Sequence, residues 1–257
     1  MRIFRSLSIA FSMYSSLPMP QVEWSKDNMK YVMCFFPLIG AVCGALLFGW
    51  SLLCQYFQLS QLLFAAVSAL IPVAVSGGIH LDGFCDTMDA LGSHQSMEKK
   101  LEILKDSHIG AFGVMGCCFY LLITVGLYAE IGYVNLKYIL LITITFVLSR
   151  VLSGLSVVLL RPAKNSGLLH AFADAAAKKK VGLVLIGGLL LCTAGFILLS
   201  PIAGSFILLC AGVTFGYYRH MSYQQFGGIT GDLAGFFLQL CESTMLVGVI
   251  VGGRIAG

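Results

Sequence analysis

The chain has 257 residues, of which 58% are hydrophobic and only 11% charged, and its mean hydropathy is +0.89. Soluble domains carry about 25% charged residues, so the composition excludes an ordinary soluble domain. The net charge of +4 is too small to say much by itself, and no nucleic-acid partner is expected.

Residues 1–20 read as an amphipathic segment at the membrane interface, closed by Pro18 and Pro20. The segment has Arg2 and Arg5, but Ser6, Ser8, Ser12, Ser15 and Ser16 interrupt its apolar stretch and no small-residue cleavage site follows. A cleaved signal peptide is therefore not expected. A membrane-spanning helix needs about 20 mostly apolar residues. Candidate spans lie at about 31–56, 60–76, 110–130, 138–160, 181–199, 201–218 and 233–251. The second is short, with Pro72 near its end. Only Ser200 and Pro201 divide the fifth from the sixth, which suits a tight hairpin or one broken helix. The expected fold is all-α, a polytopic bundle of about seven spans forming a single integral membrane domain over 1–257. The 29 glycines fit close helix packing in lipid. None of the nine cysteines falls in a C-x-x-C or Cys/His cluster, so they read as reduced and structural.

Charge distribution orients the bundle. With a cytoplasmic N-terminus, thirteen cations fall on one side: Arg2, Arg5, Lys26, Lys30, Lys99, Lys100, Lys105, Arg161, Lys164, Lys178, Lys179, Lys180 and Arg219. Only Lys137 and Arg254 fall on the other, and Arg150 lies inside a span. This asymmetry places the long polar connections, including 77–109, in the cytoplasm. It implies a multi-pass protein of a bacterial or archaeal cytoplasmic (inner) membrane, surrounded by lipid, with any chemistry on the cytoplasmic face.

Four stretches carry candidate chemistry. In the 77–109 loop, Asp82, Asp86 and Asp89 are spaced i, i+4, i+7, which puts three carboxylates on one helical face. Such a face repels itself unless a divalent cation is shared, and oxygen-only ligands suit Mg²⁺ or Mn²⁺. Each carboxylate would cost roughly 2.5–3.5 kcal/mol at the bilayer centre, so the face must meet water or an aqueous cleft. Flanking Ile79, Leu81, Phe84, Met88 and Leu91 make the helix half-buried. Next, Asp106, Ser107 and His108 meet Gly110 and Gly113 at the start of a span. Asp106 is a fourth ligand, a general base or a helix cap. In the third stretch Gly227, Gly228 and Gly231 precede Asp232, where backbone amides favour anions and where Thr230 or Asp232 could instead cap the helix. Glu242, in the same span, should face protein or a cavity. Last, Arg150 and the stretch from Arg161 to Gly167 offer cations for phosphate, although Arg150 could equally pair with a carboxylate. The histidines form no metal-ligand pattern. Acidic ligands, cations and glycine loops on an apolar bundle point to phosphoryl or nucleotidyl transfer on a large amphiphilic substrate. A transporter with the carboxylates as a cation pathway is the rival reading. It needs acids at mid-membrane, and Glu130 and Glu242 are the two that stand away from the acidic face.

Several of these stretches resemble the cobalamin synthase family of adenosylcobinamide-GDP ribazoletransferases. The matching segments are Gly77-Gly-Ile-His-Leu-Asp-Gly-Phe-Cys-Asp-Thr-Met-Asp-Ala-Leu-Gly92, Lys105-Asp-Ser-His-Ile-Gly-Ala-Phe-Gly113 and Gly227-Gly-Ile-Thr-Gly-Asp232. Ser16-Leu-Pro-Met-Pro20, Phe36-Pro-Leu-Ile-Gly40 and Ser149-Arg150 also resemble family features. The likeness runs nearly end to end. Cys85 and Met88 stand where small residues such as alanine are expected, and Leu233-Ala234 falls in a variable place. The resemblance implies an enzyme that needs Mg²⁺ and joins adenosylcobinamide-GDP to α-ribazole or its 5′-phosphate with release of GMP. It implies Asp82, Asp86 and Asp89 as Mg²⁺ ligands, Asp106 as ligand or base, and a supporting role for Asp232. His80, Gly83, Ser107, His108, Arg150, Gly228, Thr230 and Asp232 are the positions expected to face substrate. The Asp-Gly start also resembles CDP-alcohol phosphotransferases, whose following Ala-Arg pair is missing here. Oligomeric state, including a homo-oligomer, stays open.

Overall fold

The computed structural model describes residues 2–163 and 168–256, and these are helical apart from turns and one isolated parallel bridge between Pro162 and Ile229. Residues 164–167, the second half of the Arg161 stretch with Lys164, lie outside the described residues. The expected all-α architecture is found. Helix α1 (Arg2–Tyr14) does more than rest at an interface. It buries Ile9 and Ala10, and the Ser6 hydroxyl donates to the Asn28 carbonyl of α2 (Lys26–Met29) at 2.7 Å, while Ile3 and Phe4 stay exposed. Just beyond α1, the Ser16 amide donates to the carbonyl of Val75, which ties the segment to the end of α4 (Gln61–Ser76).

Among the described residues six helices are long and apolar enough to cross a membrane: α3 (Val32–Phe57), α7 (Ala111–Ile131), α8 (Leu136–Leu159), α10 (Lys178–Leu199), α11 (Pro201–Phe226) and α12 (Gly231–Ala256). The expected short span is α4, which reaches that standard only together with α5 (Ile79–Gly92), bent from it by 97°. Gly77 and Gly78 make the bend, with φ of +64° and +86°, a left-handed backbone that glycine adopts without a Cβ clash. The remaining short helices are α6 (Met97–Ile103) and α9 (Leu168–Ala175). The fifth and sixth expected spans form a tight hairpin: α10 ends at Leu199, Pro201 opens α11, and Ser200 lies between them.

The short turns gather at one end of the bundle. Gln55 donates to the Tyr133 carbonyl at 2.7 Å, the Tyr133 hydroxyl donates to Leu59, and Arg254 at the end of α12 pairs with Glu130 at the end of α7. The opposite end carries the longer connections, where Lys26 pairs with Asp174, the Ala177 amide donates to the Lys30 carbonyl, and Lys100 meets Gln225.

Helix α12 is the hub of the core, packing against α5, α7, α8 and α11. Polar side chains stitch it to its neighbours as interhelical hydrogen bonds do in lipid. Tyr120 of α7 donates to Gln239, Thr124 pairs with Ser243 at 3.1 Å, and Thr214 of α11 pairs with Thr244 at 2.8 Å. At the centre the Arg150 guanidinium of α8, only 1% exposed, forms an ion pair with Glu242. The Ser149 hydroxyl donates to the same carboxylate at 2.9 Å. Arg150→Ala leaves Glu242 buried and unpaired, which costs about 3–5 kcal/mol. A steep fall in melting temperature in detergent is expected, with the double replacement Arg150→Met, Glu242→Leu recovering most of it. Equal losses in the single and double variants would show that the pair does not hold the bundle.

Candidate active site

Helix α5 presents two chemical faces. His80, Gly83, Phe84, Cys85, Thr87 and Ala90 are buried. Phe84 stacks on Phe236 of α12 at 5.3 Å between centroids and tilts against Tyr120 of α7 at the same distance. This wedge sets α5 across α12 and α7. Asp82 is exposed and Asp86 half-buried, so the acidic face looks outward from the packed side as the flanking apolar residues required.

The three aspartates of that face do different things. Asp89 turns to α7: its two carboxylate oxygens accept from the amides of Gly110 at 2.7 Å and Gly113 at 2.8 Å. A Cβ on Gly113 would stand 2.3 Å from one of those oxygens, so glycine there makes room for the carboxylate. The first amides of a helix lack internal partners and carry partial positive charge, which an anion satisfies. Asp89, expected as a metal ligand, thus has an amide donor on each oxygen, and these bonds tie α5 to α7.

Asp106 is also placed differently. Its side chain is 59% exposed in the turn before α7, where it accepts from the His108 amide at 3.0 Å and faces His108 Nδ1 at 2.8 Å. The bond with His108 holds the Asp106 carboxyl below its ordinary value. It therefore closes a local turn and is not among the charges that act on Asp86. Ser107 and His108 are exposed beside it.

Asp232 stands close against α5. A Cβ on Gly83 would lie 2.7 Å from the Asp232 Cα, so α5 meets the first turn of α12 backbone to backbone. Thr230 caps α12, accepting from the Leu233 amide at 3.2 Å, with its hydroxyl 3.5 Å from the Asp232 carboxylate. Gly228 is pinned in turn. Its neighbour Ile229 exchanges backbone bonds with Arg161 and Ala163, and Arg161 donates to the Gly227 carbonyl at 3.1 Å. Residues 161–163 of the fourth stretch are thus joined to the third.

Burial, followed by the carboxylates of Asp82, Asp232 and Asp89, pushes the Asp86 pKa up to about 7. Among the described residues neither Asp82 nor Asp86 has an ion-pair partner, and no three His, Cys, Asp or Glu groups are close enough to form a complete metal cage. Mg²⁺ seldom uses such a cage. It keeps several waters and is held by one or two carboxylates together with substrate phosphates. The oxygen-only, mutually repelling set of Asp82, Asp86 and Asp232 fits that style of binding.

Behind the acids lies a cleft of about 200 Å³ where α1, α3, α5, α8 and α12 meet. Asp82 and Asp232 line it with His80, Tyr14, Phe36 and Ser153. His80 is 6% exposed; burial, and then the Arg150 charge, push its pKa down to about 3, which keeps the imidazole neutral. Spacing along the chain could not have found Tyr14 or this use of Phe36, because they reach the cleft from α1 and α3. Arg150 is not among the residues that line the cleft. Glu242, the Ser149 hydroxyl and the Phe146 carbonyl surround its guanidinium in the bundle core, and of the two sequence readings the carboxylate pairing describes it.

The raised value of Asp86 has a sign for stability. The folded state holds this proton more tightly than the unfolded chain between about pH 4 and 7, so what Asp86 contributes is full below that window and is lost as pH rises through it. Asp86→Asn should therefore melt higher than the parent near pH 8 in chelator, and the gain should shrink towards about pH 5. A gain independent of pH would remove the electrostatic account.

The chain matches the family model described as cobalamin-5-phosphate synthase over residues 6–250. A protein of Lachnoclostridium phytofermentans named adenosylcobinamide-GDP ribazoletransferase is 45% identical over 251 residues, covering 98% of this chain and 95% of its own. Proteins with the same name from Clostridium botulinum strain Alaska E43 and Treponema denticola are 34% and 33% identical, covering 97% and 93% of this chain and 96% and 94% of theirs. No solved structure matches the chain. With a family match that takes in the acidic helix, the α7 junction and the opening of α12, this chain belongs to the cobalamin-5-phosphate synthase family.

Proposed function

We propose that this chain joins adenosylcobinamide-GDP to α-ribazole, or to its 5′-phosphate, with release of GMP, and that it does so at the Asp82–Asp86–Asp232 cleft. The observation that carries the reading is the convergence of carboxylates from α5 and α12 at the mouth of a largely apolar cleft, in a chain whose relatives bear the name of that transferase. In the reaction a ribazole hydroxyl oxygen bonds to the phosphorus attached to cobinamide. The bond from that phosphorus to the bridging oxygen breaks, and GMP leaves with the oxygen. The hydroxyl proton needs an acceptor, and Asp86 is suited to the task because its pKa lies near neutrality. Asp82 and Asp232, on facing elements, would hold Mg²⁺. When bound, Mg²⁺ offsets the charge of the diphosphate and of the developing transition state. Asp89 and the α7 amides keep α5 in register with α12, and Thr230 fixes the turn that carries Asp232.

The transporter reading loses its support, since Glu130 pairs with Arg254 and Glu242 with Arg150. We further infer that the whole chain works as one membrane domain in a bacterial or archaeal inner membrane, with 77–109 on the cytoplasmic side. The thirteen-to-two distribution of cations supports this orientation. A cysteine at position 94, in a background without native cysteines, should react with an impermeant reagent only from the cytoplasmic side of sealed vesicles; labelling from the outside alone would invert the topology.

The central experiment measures GMP release by the purified chain with both substrates, with and without Mg²⁺. Turnover should require Mg²⁺, and Asp82→Asn should lose about 100-fold or more while the protein still folds, as expected when a charge-stabilising contact is removed. The rate should fall on the acidic side with a limb at or below about pH 7, because Asp86 must be unprotonated and a nearby cation lowers its value further. Metal-independent turnover, or an unchanged limb in Asp86→Asn, would overturn these assignments.

A further inference from the structure

The proposed reaction leaves unused three polar side chains that line the cleft, Tyr14, Ser153 and His80, and the imidazole is the one with a buried unpartnered atom among the described residues. His80 Nε2 is buried and has no hydrogen-bond partner among the described residues. A buried donor or acceptor without a partner is uncommon and costs about 1–3 kcal/mol. Three aromatic rings from three different helices meet here. Tyr14 lies at 4.6 Å from Phe36 and at 6.2 Å from His80, with the Tyr14 and His80 planes only 23° apart, and Phe36 meets His80 edge-on at 5.8 Å. Val157 and Leu238 add aliphatic wall, and Asp82 and Asp232 also line the cleft. The cleft thus joins an apolar, aromatic region containing one unsatisfied imidazole nitrogen to the acidic centre.

We propose that this region is the subsite for the base of the ribazole nucleoside, with His80 Nε2 donating a hydrogen bond to the unsubstituted ring nitrogen and the sugar hydroxyls directed to Asp82 and Asp232. The inference rests on the transferase reading above and adds to it which substrate fills the cleft and which residue selects it. A benzimidazole is flat and largely apolar and has a single free ring nitrogen, which matches a wall with a single unpaired imidazole nitrogen. Guanine and adenine, the other bases available in the reaction, carry more donors and acceptors along their edges, and apart from the two aspartates this wall meets them only with His80 Nε2 and the hydroxyls of Tyr14 and Ser153. A lipid chain would fill the space but leave Nε2 unpaired. Seating the base among Tyr14, Phe36 and His80 also brings the nucleoside hydroxyls to the end of the cleft where the carboxylates stand.

The test uses the full chain in detergent with adenosylcobinamide-GDP and two nucleosides, α-ribazole and its indole analogue, in which the free ring nitrogen is replaced by CH. The parent enzyme should use the analogue about 10- to 100-fold less efficiently in kcat/KM, the penalty for leaving a buried polar group unpaired. His80→Leu should lose a similar factor with α-ribazole, through KM, and should no longer distinguish the two nucleosides. Its KM for adenosylcobinamide-GDP should stay within about twofold of the parent. His80→Gln, which restores an N–H donor, should regain part of the preference. Equal use of both nucleosides by the parent overturns the proposal without recourse to any variant. A rise in KM for adenosylcobinamide-GDP alone overturns it in favour of the guanosine end. Calorimetric binding of α-ribazole separates this proposal from the reading on which it rests. Binding that depends on His80 without GMP release would remove the proposed reaction and keep the subsite, whereas GMP release with binding indifferent to His80 would remove the subsite and keep the reaction.

Discussion

Carboxylates cannot be left facing lipid, and the structure meets that constraint at a single turn of backbone. At Gly77 and Gly78 the chain leaves α4 and bends by 97°, so the helix bearing Asp82, Asp86 and Asp89 does not continue along the bundle. It lies instead across α12 and α7, with its apolar side against Phe236 and Tyr120. Two adjacent left-handed positions are strained for any residue with a Cβ. The glycine pair is therefore the condition on which the placement of the three α5 aspartates depends. A straight continuation would have carried three carboxylates along a spanning helix, where each would have needed its own neutralising partner.

Two contacts then fix the rotation and height of α5. The Asp89 carboxylate holds the amides that open α7, and Gly83 lets α5 touch the backbone at Asp232. Both join an acidic element to the start of a helix, where partial positive charge tolerates it. Environment alone thus separates three chemically identical side chains. Asp89 is taken up by backbone donors, Asp82 is exposed, and Asp86 sits between them with its proton affinity raised by burial and by its neighbours. Thr230 and the Arg161–Ile229 bridge steady the other wall, so the carboxylates from α5 and α12 meet at a fixed junction and not between two free loops.

Much of this was legible in the sequence, because it follows from composition and period. The spans, the break at Ser200 and Pro201, the shared helical face of the aspartates and the half-buried character of α5 all follow from local pattern. What the sequence could not show was which partner each polar group would find. Spacing of i, i+4, i+7 puts Asp89 on the same face as Asp82 but does not say that Gly110, 21 residues further on, would claim it. Gly110 and Gly113 mark the start of a span in the sequence, but they do not show that their amides would bind the protein's own carboxylate. Arg150 had two readings of similar merit until Glu242 was found beside it, 92 residues away. The aromatic cleft was the least visible feature, since Tyr14, Phe36 and His80 share no period and meet only through tertiary packing.

The two clusters of charge in this chain illustrate the difference between structural and functional electrostatics. At the bundle centre Arg150, Glu242 and Ser149 answer one another, and removing either charged partner leaves the other charge buried and unpaired. At the cleft, Asp82 and Asp86 have no ion-pair partner among the described residues, although burial and like charge both act against the ionised form of Asp86. Such a cluster destabilises the folded chain at neutral pH. Fold stability alone gives no reason to keep carboxylates from α5 and α12 together when any one of them could be neutral. A reason exists if the missing positive charge arrives with the substrate, as a cation shared with a diphosphate. The excess negative charge then repels anions that come without a cation and favours those that bring one. On this argument the strain at Asp86 belongs to the free enzyme only and is relieved in the complex that reacts.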